Sequence, residues 1–210
     1  MRTDRWLVAL PIASYLWLFM TVLIAGALHP GYSHVGQFMS ELGAQGAPGG
    51  WMVNYFGFLP TEILFLGFVG FALRRAGRDW AMRVGLVLLG LYAVSLIIAA
   101  FYPCDAGCRP DDPTFSHLVH IASGLGAYLF CIVGVCLLAV GCRRRNGALL
   151  TVTGILAGAF ALVCFVQITP DNPQAGLYQR SLETTLYAWC IAFAVRLGVA
   201  DQGAGAESNA

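Results

Sequence analysis

The chain has 210 residues, of which 58% are hydrophobic and only 11% charged, with a formal net charge of +1 and a mean hydropathy of +0.71. A soluble domain carries about a quarter charged residues, so this composition points to lipid as the surrounding solvent. The near-neutral charge, with no basic run interleaved with aromatics, gives no reason to expect a nucleic-acid partner.

Six apolar runs are predicted as membrane-spanning helices, at about 6–28, 51–73, 82–102, 116–141, 148–169 and 178–199. Runs of about twenty residues cross a hydrocarbon core of roughly 30 Å as helix and are too long for barrel strands. The predicted fold is therefore all-α, a polytopic six-helix bundle forming a single domain over 1–199. A small polar tail over 200–210 is read as disordered. The first run starts basic and ends small, like a signal peptide, but its length of about 23 residues exceeds the usual apolar region of ~7–15, which predicts an uncleaved helix.

Ten of the twelve arginines fall on one side of these spans, leaving only Arg109 and Arg180 opposite. That bias puts both termini in the cytoplasm of a cell whose inner, plasma membrane the chain crosses. At the outer exits the helices end LHP, FYP and ITP (Pro30, Pro103, Pro170). Proline without an N–H commonly follows a helix end; a decayed repeat is the alternative. Glycines such as Gly154, Gly158, Gly124 and Gly126 let helices approach closely, or else line a crevice. Trp51, Tyr102, Tyr178 and Tyr32 at the outer boundary, and Trp6 and Trp80 at the inner one, suit interface anchors.

The chemistry concentrates outside. The first outer loop contributes His29, His34, Ser40 and Glu41, and Val35, Phe38, Met39 and Leu42 are spaced for a short helix lying in the interface. The second, within Phe101–His120, carries Cys104, Asp105, Cys108, Arg109, Asp111, Asp112, His117 and His120. His117 and His120 share a helix face at i, i+3. With His34 as a third ligand, or with Asp105 or Glu41, they suit a divalent metal such as zinc with an open position for water. Equally, both histidines could donate to loop carbonyls with Ser116 as helix cap, or act as acid–base groups without metal. Cys104 and Cys108 could form a disulfide, remain free thiols or, as a third choice, ligate metal. Asp111 and Asp112 are expected in solvent.

Within the spans, Asn54, Glu62 and Gln167 stand out, and the sixth begins YQRSLETT. Arg180 and Glu183 can pair at i, i+3, with Gln179 beside them. At 1.5 Å per residue Glu183 lies roughly 8 Å below the outer boundary and Glu62 roughly 16 Å below it. Charge at such depth is paired or functional.

YSHVGQFMSELGA, then FYPCD followed by a histidine-bearing span, then GLYQR, together resemble the prokaryotic six-helix membrane family catalogued as domain of unknown function 998. The resemblance runs over most of 6–199 and implies fold and membrane placement without an assigned reaction. CDAGC departs from the family pattern, where threonine commonly occupies the position of Cys104, so cysteine chemistry would be private to this chain.

The expected function is binding of a membrane lipid or other amphipathic molecule in a polar pocket opening to the outer leaflet, with hydrolysis or transfer as the reaction. Catalysis would fall to His117, His120, Asp105 and Glu183, and substrate binding to Arg180, Gln179, Ser40 and Glu41. The alternatives are a non-catalytic lipid-binding or scaffolding protein, a small transporter using Glu62 as proton carrier, and an intramembrane cyclase or isomerase using Glu62 and Glu183.

Overall fold

The structure, a computed structural model, describes residues 2–143 and 147–207, without the side chains of 2–4 and 199–207. Six long helices carry it: α1 (Arg2–Leu28), α2 (Gly50–Arg75), α3 (Trp80–Phe101), α4 (Phe115–Cys142), α5 (Gly147–Val166) and α6 (Ala175–Glu207). Helix α6 continues through Glu207, into the stretch read as a tail. Arg144 and Arg145, part of the basic cluster, and the last residues, 208–210, lie outside the described residues. Helices α1 to α5 are long and apolar enough to cross a membrane, which makes this a multi-pass helical membrane protein. Helix α6 is not among those five, counted over the described residues; Gln179, Arg180 and Glu183 lie in its first turns.

Each helix packs on its neighbours in chain order, and α6 returns to α1, so the six close a ring. Short connections make neighbours antiparallel and bring the three longer loops, 29–49, 102–114 and 167–174, to one end. Outward faces are apolar and exposed, as in Leu16, Phe19, Ile24, Val87, Leu129 and Leu156, because lipid tails solvate them as well as protein would. Inside the ring, Phe65 sits edge-on to Phe68, Tyr92 and Tyr187, with centroids 5.2–5.5 Å apart. Trp51, Trp6 and Trp80 are exposed; Tyr32 instead packs under Arg180.

Packing in lipid gains little from transfer of apolar surface, so close backbone approach has to supply contact. The most extensive contact is α3 on α4. A side chain added at Gly85 would meet Leu138 N at 2.7 Å and Gly134 O at 2.8 Å. Gly154 and Gly158 serve α5 similarly, against Trp189 and Cys136. Gly124 differs, with open space where a Cβ would stand.

Helix α2 is irregular. Residues Val53–Phe58 form a π segment in which the Leu59 N–H reaches Asn54 O, and Pro60 follows. A proline has no N–H for the preceding turn; the indole of Trp17 on α1 donates to Phe56 O at 2.9 Å in its place. The Thr61 hydroxyl donates to Gly57 O at 3.0 Å, and Ser14 donates to Thr61 O at 2.8 Å. These bonds turn Thr61 and Glu62 into the ring.

Gly85→Leu is expected to destabilise the bundle by about 1–3 kcal/mol through overpacking, read as a lowered melting temperature in detergent. Gly70→Leu, where nothing lies within 4 Å, should leave it unchanged. Equal losses would disprove the close α3–α4 contact.

Candidate functional site

The first loop does not lie along the surface. Phe38, Met39, Glu41 and Leu42 are all buried, and Met39–Gly43 forms a 3-10 turn that plugs the loop end of the ring; only Val35 of the expected apolar face stays exposed. The segment is too short for an amphipathic helix to be stable alone, and its apolar side chains find a better site between the helices. The Met39 N–H donates to Gln179 Oε1 at 2.8 Å and the Gln179 amide donates to the Tyr128 hydroxyl at 3.0 Å. Tyr92 donates to the Glu183 carboxyl at 2.6 Å, and the Tyr128 hydroxyl stands beside the same carboxyl. A polar column therefore descends from the loop to the bundle centre.

Beside this column lies a cavity of about 90 Å³ whose walls include Met39, Ser40, Asn54, Glu62, His120, Gln179 and Glu183. Glu62 is 3% exposed, and its Oε2 has no hydrogen-bond partner among the described residues. The space suits a small polar group or several waters. Two further pockets share its walls. One, of about 270 Å³ between α1 and α6, includes Leu18, Met39 and Glu183. The other, of about 360 Å³ toward α5, includes Ser40, His120, Gly124, Tyr128 and Gln179. Gly124 is thus a crevice residue.

The structure separates the expected catalytic set. His120 Nδ1 lies 3.1 Å from Ala99 O and 3.0 Å from Tyr102 O; carbonyls only accept, so Nδ1 carries a proton and Nε2 is the nitrogen left for acid–base exchange. His117 is opposite in tautomer, because its Nδ1 accepts from the Asp105 N–H at 3.2 Å. Asp105 accepts from the Thr114 N–H at 2.9 Å, the Thr114 hydroxyl at 2.6 Å and Gln45 Nε2 at 3.1 Å. The cap of α4 is Thr114, whose hydroxyl accepts from the His117 N–H, whereas Ser116 donates to Pro103 O. Asp105 and His117 therefore hold the second loop together. Asp111 and Asp112 are exposed.

Glu41 is similarly committed. It accepts from the Phe38 N–H at 2.9 Å and Gln37 Nε2 at 2.7 Å, with Arg109 at 3.9 Å. Ser40 faces Cys108 Sγ at 3.6 Å and lines the central cavity. Cys104 and Cys108 are joined in a disulfide, and Cys104 O accepts from the Gln45 N–H, which ties the two loops together.

Arg180 and Glu183 form no ion pair, a correction to the expected i, i+3 partnership. The guanidinium is drawn upward to Gln37 O at 3.0 Å, Gly176 O at 2.9 Å, the Tyr32 hydroxyl and His34 Nδ1 at 3.3 Å, while the Glu183 carboxyl is held by the tyrosines. His34 thus belongs to Arg180, and the expected trio His34, His117 and His120 is not assembled. Among the described residues no three His, Cys, Asp or Glu side chains are grouped to hold a metal ion. Burial, then Arg180, pushes the His34 pKa below its ordinary value, and burial raises that of Tyr32.

Sequence reasoning missed Tyr92, Tyr128 and Tyr187. Their signal was position: tyrosines deep in spans, away from the interfacial belt, need a buried partner. The Tyr187 hydroxyl meets Ser14 at 2.8 Å.

Gln179→Leu should cost about 1–3 kcal/mol by leaving the Met39 N–H unpaired, and should raise amide exchange over 38–43; unchanged exchange there would count against the plug. For Asp105, the Thr114 N–H, then the Thr114 hydroxyl, then His117 hold the carboxyl below the ordinary aspartate pKa. A depressed pKa contributes stability above the unfolded value of ~3.9, and that stability is lost as pH falls through the folded value. Exchange at the Thr114 and His117 amides should rise below about pH 4, and Asp105→Asn should remove that rise. If the acid sensitivity persists in the variant, Asp105 is not its source.

No curated protein and no solved structure matches this chain. A family model does match, over residues 12–196, with the description "Protein of unknown function (DUF998)". The chain belongs to that family.

Proposed function

We propose that the chain takes an amphipathic molecule from the outer half of a cell membrane, lodges its polar end in the cavity beneath Met39 and Ser40, and carries out acid–base chemistry there, as a hydrolase or transferase acting on lipid. The central observation is the cavity itself: two buried carboxyls, one with an unpaired oxygen, and a histidine whose Nε2 is left for acid–base exchange line a space that shares walls with pockets at two helix seams. His120 Nε2 would accept the proton of water or a hydroxyl nucleophile, and Glu62 or Glu183 in its acid form would return one to the leaving group. Relative to the expected site, the centre moves inward, from Asp105 and His117 to His120, Glu62 and Glu183.

For placement, we read six crossings of a bacterial inner membrane with both termini cytoplasmic, supported by the arginine bias. Helix α6 crosses despite its polar start because Gln179 and Glu183 are buried, Arg180 bonds the first loop and Arg196 lies at the opposite end.

A non-catalytic lipid-binding protein is the second reading. It is favoured by the saturation of Asp105, His117 and Glu41 with loop hydrogen bonds. Mass spectrometry of lipid retained by the purified chain decides between them. Gly124→Phe, filling open space, should reduce retained lipid several-fold. Glu62→Gln and Glu183→Gln should keep the lipid yet slow turnover of a total-lipid extract by about 10²-fold or more if the carboxyls act in acid–base catalysis. Lipid retained with turnover unaffected in both variants would eliminate the catalytic reading and leave the binding one.

A further inference from the structure

The α1–α6 pocket has features that the central acid–base site does not use. Arg180 is half-buried, and a guanidinium so placed ordinarily meets a carboxylate. Here every partner is neutral: two backbone carbonyls, the Tyr32 hydroxyl and a His34 kept neutral by burial and by Arg180 itself. The buried Nε has no hydrogen-bond partner among the described residues. The two nearby acids are engaged elsewhere, Glu41 by Phe38, Gln37 and Arg109, and Glu183 by Tyr92 and Tyr128. An uncompensated positive charge therefore stands in the wall of a 270 Å³ pocket, together with His34, Thr184 and the Glu183 side chain.

Apart from Tyr15, whose hydroxyl meets Thr184 at 2.9 Å, the rest of that pocket is apolar. Leu18, Phe19, Val22 and Leu23 form its α1 side, and Phe19 and Leu23 are 52% and 46% exposed on the lipid face. A molecule can thus enter sideways from the membrane with its chain along α1. The combination of a charge with no counterion and an apolar slot open to lipid selects both ends of a ligand.

We propose that this pocket binds a single-chain amphiphile with an anionic headgroup, a phosphate or a carboxylate, the headgroup on Arg180 and the chain against Leu18, Phe19, Val22 and Leu23. The inference rests on the amphiphile-binding reading above and describes the step before it: the headgroup docks on Arg180 in this pocket and passes to the central cavity by way of Glu183, which lines both spaces.

The test is titration of the full chain, in phosphatidylcholine nanodiscs, with dodecyl phosphate, dodecyl maltoside and inorganic phosphate. Dodecyl phosphate should bind at least about 10-fold tighter than either of the others, as expected for one charge-assisted pair. Arg180→Gln should bring it down to the level of dodecyl maltoside, and Arg180→Lys should restore part of the difference. Because Arg180 also braces the first loop, Leu23→Trp provides an independent arm: it fills the slot without touching the guanidinium and should weaken both dodecyl compounds. Equal affinity for the two dodecyl compounds in the unaltered chain would overturn the anionic preference while leaving amphiphile binding intact. Inorganic phosphate binding as tightly as dodecyl phosphate would overturn the lipid source. Absence of any dodecyl binding, with no lipid retained on purification, would remove this inference and the reading it rests on together.

Discussion

A polar group inside hydrocarbon has no water to fall back on, so each must find a partner within the protein. The column from the Met39 N–H through Gln179, Tyr128 and Glu183 to Tyr92 is this chain's response to that constraint. It joins the first loop to α6, α4 and α3 and so sets where the cavity begins. Removing one member leaves a buried donor or acceptor unpaired on another element, which is why the loop, the ring and the site depend on each other.

The same constraint explains the irregularity of α2. A proline and a π segment in a membrane helix expose backbone groups, and neighbours repair them: Trp17 bonds Phe56 O, and Ser14 bonds Thr61 O while receiving the Tyr187 hydroxyl. The distortion also carries Glu62 into the ring, so a local departure from α geometry becomes a feature of the site. Glycine acts on the opposite side of the same balance. Gly85 closes α3 onto α4, whereas Gly124 keeps space open between the central cavity and its neighbour.

The loop residues show how composition misleads about chemistry. Asp105, His117 and Glu41 are catalytic residue types gathered in one short region, yet their atoms are occupied by Thr114, Gln45, Phe38 and Gln37. A loop that caps a membrane bundle must satisfy its own backbone and three helix ends, and short carboxylates and imidazoles do this well. Among the described residues, Glu62 Oε2 and Arg180 Nε are buried without a hydrogen-bond partner, and both side chains line pockets.

The all-helical, membrane character was legible in the sequence, because it follows from run length and hydropathy, which are properties of consecutive residues. So were the polar residues that open the sixth helix, Gln179, Arg180 and Glu183. Tertiary structure alone decided direction and partnership. Arg180 and Glu183 share a face at i, i+3 yet turn apart, one to loop carbonyls and one to tyrosines on α3 and α4. His34 joins Arg180 rather than His117 and His120 because the first loop enters the ring. Which of several eligible polar groups meet is set by the closure of six helices around a common interior, and that closure is not written in any single stretch of the chain.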